Sequence, residues 1–278
     1  QGLTAKVEVL GFDPTRTTVA GHKTMRKSVR PARLKEIPDV ISPITEVKTK
    51  AEIRDIAKAA DIASTAYERM LGTVKVGMTE HEVAAYLSAT TRELGSERDA
   101  FDIIVVAGKR SAMPHGRASN TKLKKGDVVT VDFGCCVNGM HSDMTRTFSI
   151  GTPSKKVVDV FAVLYDAHLT ALDAAKANIT GRQLDAVART VIDDAGFGEY
   201  FRHSLGHGLG YDVHEKPRIA KAGASPLQPN TVITIEPGIY LPGQFGMRIE
   251  RPDQLSSRHL PDLDHAGLVR RSQVPGIE

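Results

Sequence analysis

Four carboxylates in this 278-residue chain fall in two segments built alike. The first runs Val129-Thr130-Val131-Asp132-Phe133-Gly134-Cys135-Cys136-Val137-Asn138-Gly139-Met140-His141-Ser142-Asp143-Met144-Thr145. Two strand-like runs are joined there by Asn-Gly, the strongest short-range hairpin signal. With a two-residue turn, Val137 opposes Met140, Asp132 opposes Thr145 and Gly134 opposes Asp143. Side chains alternate along a strand, so Asp132 and Asp143 point to one side, about 7–8 Å apart along the diagonal. A three-residue loop would instead put them on opposite faces. Two carboxylates projecting inward from apolar strands repel each other unless positive charge sits between them. A pair of divalent cations about 3.5–4 Å apart would fill that role. The plainer alternative is two surface aspartates flanking a turn.

The second segment strengthens the first. Val232-Ile233-Thr234-Ile235-Glu236-Pro237-Gly238-Ile239-Tyr240 passes through Pro242-Gly243 into Gly246-Met247-Arg248-Ile249-Glu250. With the turn centred near Gly243, Glu236 and Glu250 lie opposite each other on one face. Four inward carboxylates make an oxygen-rich cage that suits Mn²⁺, Co²⁺, Fe²⁺ or Zn²⁺ once a neutral imidazole joins it. His203, His207 and His214 are candidates, set among Gly206, Gly208 and Gly210, where backbone can approach closely. Spacing alone does not choose between them. His115 lies in a further turn, Met113-Pro114-His115-Gly116. There is no His-Glu-x-x-His signature, and no Gly-Lys-Ser/Thr follows the glycine run, so zincin and phosphate-loop readings fail.

These residues need elements to hold them. Ile53, Ile56, Ala60, Ala63, Tyr67 and Met70 recur at helical spacing after Thr49. Thr79, with Glu82 at the capping-box position, opens a second helix that stops at Gly95. Strands follow at 103–106 and 128–133. A similar order then repeats: a helix over 157–175, another from Thr180 to Gly196, and strands at 232–235 and 247–250. Met78-Thr79-Glu80-His81-Glu82-Val83 and Ile179-Thr180-Gly181-Arg182-Gln183-Leu184 occupy matching places. The expectation is a duplicated α+β unit, helices backing a shared, curved antiparallel sheet. Residues 1–45, Pro-dotted and poor in apolar runs, read as a remnant of a domain or an arm. Residues 46–250 read as the catalytic domain, and 251–278 as a loose tail.

Composition narrows the setting. Apolar residues make up 41% and charged residues 25%, as in ordinary globular proteins. No apolar run reaches the roughly 18 residues of a membrane span, and the N-terminus lacks a signal-peptide pattern. The chain opens without Met, so its true start is expected to lie upstream. The two cysteines, Cys135 and Cys136, are neighbours and poorly placed to staple to one another, which fits a reducing cytoplasm. Much of the +4 net charge lies at Lys23, Arg26, Lys27, Arg30, Arg33 and Lys35. No aromatics interleave with them for base stacking, so a solvated face is the better reading than nucleic-acid binding.

Taken together, Asp132-Phe-Gly, His141-Ser-Asp143-Met-Thr-Arg-Thr-Phe, Gly206-His207-Gly208-x-Gly210, Val213-His214-Glu215-x-Pro217, Glu236-Pro-Gly-Ile-Tyr240 and Arg248-Ile-Glu250 resemble the Xaa-Pro aminopeptidase and prolidase family. That family has the pita-bread fold shared with methionine aminopeptidases, and the resemblance runs from about residue 46 to 250. It implies two divalent metal ions, Mn²⁺ foremost, on Asp132, Asp143, His207, Glu236 and Glu250. It places His115, His203 and His214 around them and Arg248 beside the last ligand. The implied substrate is a peptide with proline at its second position. Glu236 would move a proton to the leaving nitrogen, and His214 and His115 would donate to the developing oxyanion.

Two departures stand out. Only about 45 residues precede the catalytic region, where relatives carry a complete N-terminal domain, and Arg251-Pro252 follows Glu250 where an acidic residue and a further strand are usual. Apolar surface left by the short N-terminal segment carries an expectation of homo-oligomerisation. Methionine aminopeptidase-like activity, and a pita-bread binding module that cleaves nothing, remain the alternatives.

Overall fold

Two stretches of chain form separate units, Gln1–Thr45 and Glu46–Glu278. The computed structural model describes residues 7–37, 39–254 and 276–277. In the first unit β1 (Val9–Phe12) and β2 (Arg33–Glu36) pair in parallel, from Val9 against Arg33 to Phe12 against Glu36. Parallel strands need a crossover, supplied here by α1 (Val19–Ser28), whose cap Thr18 accepts the Gly21 N–H at 3.0 Å. A short helix, α2 (Ser42–Thr45), ends the unit. Its buried apolar side chains among the described residues are Val29 and Ala32, whereas Val19, Ile41 and Ile44 stand exposed.

In the second unit α3 (Lys50–Leu71) and α4 (Glu80–Glu93) start at Thr49 and Thr79, each with a complete capping box. The buried stripe of α3 is Ile56, Ala59, Ile62, Ala63, Ala66 and Met70, slightly rotated from the sequence expectation, with Ala60 and Tyr67 only partly covered. Gly95 then takes φ +103°, ending the helix in the left-handed region. Strands β3 (Ile104–Ala107), β4 (Val128–Phe133), β5 (Cys136–Val137), β6 (Met140–His141) and β7 (Met144–Ile150) complete the first half. The second half repeats the order with α5 (Lys155–Ala174) and α6 (Gly181–Asp194), the latter capped by a Thr180–Gln183 box. Its strands are β8 (Gly206–Gly208), β9 (Glu215–Ile219), β10 (Val232–Ile235), β11 (Gly238–Leu241), β12 (Phe245–Arg248) and β13 (Arg251–Gln254). A two-residue strand, β14 (Gly276–Ile277), lies parallel to β7.

The duplication extends to the helix entries. Gly77 (φ +92°) and Asn178 (φ +72°) hold the same place ahead of α4 and α6. Gly77 N–H donates to Leu123 O at 2.9 Å and Leu123 N–H to Met78 O at 2.8 Å. In the second half Asn178 N–H donates to Leu227 O at 2.9 Å and Leu227 N–H to Ile179 O at 2.8 Å.

Hydrogen bonding gives one four-stranded sheet per half, in the orders β14-β7-β4-β3 and β13-β10-β8-β9, with the ribbons β5-β6 and β11-β12 extending the hairpins, and Glu250 N–H donates to Thr145 O at 3.1 Å from one half to the other. Each four-stranded sheet is backed by its own helices. Ala59, Leu87, Val105, Phe133 and Phe148 share one apolar core, and Leu164, Leu184, Ile192, Leu205 and Ile235 the other. Truncating a fully buried leucine such as Leu184 to alanine would cost about 2–5 kcal/mol. No helix among the described residues is long and apolar enough to cross a membrane.

Both carboxylate hairpins are interrupted without losing register. Asp132 pairs with Thr145 in β4–β7, and Val137 with Met140 in β5–β6, so one alignment holds on both sides of the gap at Gly134–Cys135. Asn138 (φ 50°) and Gly139 (φ 77°) make the two-residue turn. Likewise Leu241 pairs with Phe245 and Gly238 with Arg248 in β11–β12, and Ile235 pairs with Arg251 in β10–β13. The alignment that sets Leu241 against Phe245 sets Glu236 against Glu250, inside the second gap. The sequence ended the catalytic region at Glu250, but the hairpin continues through Gln254. Arg251-Pro252 is tolerated because β13 is a sheet edge, where a proline leaves no ladder bond unmade. The remainder of the expected tail, 255–275, lies outside the described residues.

Candidate metal centre

The two gaps bring their carboxylates together. Asp132, Asp143 and Glu250 are all buried, with exposures of 8%, 5% and 1%. His207, on β8, turns its Nε2 towards Glu236 Oε1 at 3.2 Å and Asp143 Oδ2 at 3.7 Å. Its Nδ1 lies 3.0 Å from Gly208 O, which it reaches as a donor, leaving Nε2 as the atom that faces the carboxylates. One atom each from Asp143, His207 and Glu250 lie within 4.8 Å of one another, as a shared cation requires. Asp132 Oδ1 and Glu250 Oε1 are buried and have no hydrogen-bond partner among the described residues. Buried oxygens of this kind are costly unless a charge satisfies them, and a bound divalent cation would do so.

Electrostatics leads to the same place. Burial, then the charges of Glu250, Asp132 and Glu236, pushes the Asp143 carboxyl well above its ordinary range. Burial, Glu236 and Asp132 push Glu250 up to about 8. Burial raises Asp132 too, against the pull of Arg248. For Glu236 burial acts upward, but the hydrogen bond and charge of His207, followed by Arg248, outweigh it and hold the carboxyl low. Burial pushes His207 down, yet its bond to Glu236 and the charges of Glu236 and Glu250 lift it to about 9. Without a cation, the cage must hold protons to relieve its own repulsion.

Arg248 organises the surroundings. It gives Nη2 to Asp132 Oδ2, Nη1 to Tyr240 Oη at 2.9 Å and to Pro114 O at 3.2 Å, and Nε to Thr145 Oγ1 at 2.9 Å. The Thr145 hydroxyl donates in turn to Glu250 Oε2 at 2.7 Å. Tyr240 Oη lies 3.1 Å from His203 Nε2, and His203 Nδ1 lies 2.8 Å from Ser204 O. Each donor therefore meets an acceptor from Arg248 through Tyr240 to His203. Burial lowers the His203 pKa. Thr234 Oγ1 donates to Glu236 Oε1 at 3.2 Å.

His214 is exposed, with its ring centroid 4.3 Å from that of His207, and burial together with the His207 charge lowers its pKa. His115 is exposed on its turn, near enough for its charge to bear on both His203 and His214. All nine predicted site residues thus meet in one region. Thr145, Thr234 and Tyr240 were not singled out. Thr145 was already placed opposite Asp132, and Tyr240 closes the Glu236-Pro-Gly-Ile-Tyr run, so register and proximity were the signals available.

A buried cage of carboxylates carried on two matching hairpins, completed by an imidazole from β8 of a duplicated α+β unit, defines a metal-dependent peptidase of the pita-bread fold. The chain belongs to metallopeptidase family M24, whose model matches residues 54–252. A curated Xaa-Pro dipeptidase of Pyrococcus furiosus is 41% identical over 243 residues, 87% of this chain and 70% of that protein. The Xaa-Pro dipeptidase of Pyrococcus horikoshii is 40% identical over 226 residues, 81% of this chain and 64% of that protein. The crystal structure of an X-Pro aminopeptidase from Thermotoga maritima superposes with a TM-score of 0.85 at 41% identity, covering 90% of this chain and 71% of that one.

Proposed function

We propose that this chain hydrolyses the bond between an N-terminal residue and a following proline. Two divalent ions, Mn²⁺ foremost and Co²⁺, Fe²⁺ or Zn²⁺ as alternatives, would be held by Asp132, Asp143, His207, Glu236 and Glu250. The observation that carries the reading is the convergence of four carboxylates from the two hairpins on His207 of β8, with two buried carboxylate oxygens left for a cation. The oxygen-rich donor set with one imidazole suits such ions. The proline preference is supported by the named activities of the relatives.

Ions bound there would polarise the scissile carbonyl and make water acidic enough to ionise near neutral pH. The residues do the rest. Glu236, held low in pKa by His207 and then Arg248, is ionised and can take a proton and pass it to the leaving proline nitrogen. His214, kept neutral at pH 7, donates a hydrogen bond to the developing oxyanion, joined by His115. Arg248 orients Asp132 directly and Glu250 through Thr145, while Tyr240 links it to His203. A bond to proline is a tertiary amide without N–H, which calls for a site of its own.

The reading includes a cytoplasmic setting, in keeping with two buried, free cysteines, and neither nucleic acid nor membrane as partner. It also includes self-association, supported by exposed Val19, Ile41 and Ile44.

The test is a peptide panel with Mn²⁺ or Co²⁺. Ala-Pro and Met-Pro substrates should be cleaved far faster than Ala-Ala and Met-Ala. Equal rates on Met-Pro and Met-Ala would favour methionine aminopeptidase-like activity. Metal binding without cleavage of any would favour a binding module.

A further inference from the structure

The proposed oxyanion donor His214 sits at the end of a segment that leaves the sheet after Gly208 and rejoins it at Glu215. Gly208 pairs with Glu215 and His207 with Arg218, so the register shift between them is taken up by Lys216 and Pro217 on β9. A buried charge pair grips it. Lys48 has a side chain with 0% exposure, and its Nζ binds Glu215 Oε1, on a carboxylate 8% exposed, and donates to Glu46 O at 3.1 Å. The other carboxylate oxygen, Oε2, accepts the Asp212 N–H at 3.2 Å, inside the same segment.

Gly210 rests on this pair so closely that a Cβ would come 2.4 Å from Lys48 Cε and 3.3 Å from Glu215 Oε1. From the other side His141 gives both its backbone N–H and its Nδ1 to Gly210 O, at 2.9 and 3.0 Å, while Arg98 binds its Nε2 at 3.1 Å. Lys48 is itself fixed, its N–H donating to Asn230 O at 3.0 Å.

A buried ion pair gains little stability over an apolar pair, because both partners lose their hydration; its use is in fixing geometry. Glu215 is the next residue after His214, so any movement of Glu215 is passed to the imidazole. Resting on the peptidase reading above, we propose that Lys48 is a positioning residue: through Glu215 it holds the 208–215 segment so that His214 stands over the reacting carbonyl. Nothing about Lys48 touches substrate. Its effect runs through His214 alone.

The experiment uses the full, Mn²⁺-loaded chain. Lys48→Met should keep bound metal and leave KM for a Met-Pro peptide little changed, while kcat falls about 10- to 100-fold, as for other residues that orient groups around a metal. Lys48→Arg, which restores the charge, should recover most of that loss. The double variant Lys48→Met/His214→Ala should be no slower than His214→Ala, and Glu215→Gln, which removes the charge while keeping the shape, should show the same non-additivity if Lys48→Met fails to fold. Backbone amides of residues 209–215 should exchange hydrogen faster in Lys48→Met, with those of the two hairpins unchanged. A double variant slower than His214→Ala by the full Lys48→Met factor would overturn the proposal, as would an unchanged kcat. If the unmodified chain cleaves no Xaa-Pro peptide, the peptidase reading falls and amide exchange decides: faster exchange upholds the grip of Lys48 on the segment, unchanged exchange overturns it.

Discussion

Thr145 and Glu250 belong to different halves of the duplicated unit, and the Thr145 hydroxyl donates to Glu250 Oε2 at 2.7 Å. Because Thr145 Oγ1 itself accepts Arg248 Nε–H at 2.9 Å, the hydroxyl proton is committed to Glu250, which leaves Oε1 turned into the cage. Thr145→Val keeps the shape and removes the hydroxyl. It should weaken Mn²⁺ binding about 10- to 100-fold in a calorimetric titration while the far-ultraviolet circular dichroism stays native.

The cage titrates in a direction opposite to its cation affinity. Glu250 near 8 and His207 near 9 both lie above their ordinary values of 4.5 and 6.5. A raised folded pKa contributes stability that is complete below the unfolded value and lost as pH climbs through the folded one. The metal-free chain should therefore lose stability between about pH 4.5 and 9, while a cation, which must displace these protons, binds more tightly as pH rises. Melting temperatures with and without Mn²⁺, measured from about pH 6 to 9, should diverge steadily; convergence would contradict the cage electrostatics.

Asp143→Ala removes a carboxylate that faces both His207 and Glu250. Bound metal measured by atomic emission should drop and peptide cleavage should be abolished. Arg248→Lys is milder in charge but loses the planar fork that reaches Asp132, Tyr240 and Thr145 at once. Its turnover should fall about 10- to 100-fold with metal largely retained, separating orientation from ligation.

At the first turn, Gly139 has φ 77°, where a β-branched side chain is strained. Glu97 also clamps the turn, accepting the Asn138 N–H at 2.7 Å and the Gly139 N–H at 3.3 Å. Gly139→Val should cost about 1–2 kcal/mol in urea unfolding. Asn138→Gly, which keeps the conformation, should cost much less.

Short-range chemistry made the hairpins legible. Asn138-Gly139 set the pairing of Asp132 with Thr145, and Pro242-Gly243 the facing of Glu236 and Glu250, because each turn type permits few loop lengths. The capping box of Thr79 and Glu82 marked a helix start in the same way, and the structure adds two more at Thr49 and Thr180. What escaped were relations that local pattern does not encode. His207 could be separated from His203 and His214 only through the family's motifs, since all three sit in one glycine-rich stretch. The Arg248–Tyr240–His203 path and the Lys48–Glu215 pair join residues whose meeting depends on the tertiary fold. Strand β13 was missed because an edge strand has no need of the apolar alternation that would reveal it, and β1–α1–β2 because so little of it is buried.

The unbroken register across both gaps ties the chemistry to counting. Side chains of a strand reverse face with every residue, so one residue inserted between Glu236 and Glu250, or between Asp132 and Asp143, would swing one carboxylate from each pair out of the cage while leaving its identity intact. The distances in sequence between these acids are thus under the same constraint as the acids themselves. A homologue that keeps all five residues but changes either spacing by one has lost the centre, and an alignment scored on residue identity alone would not reveal it.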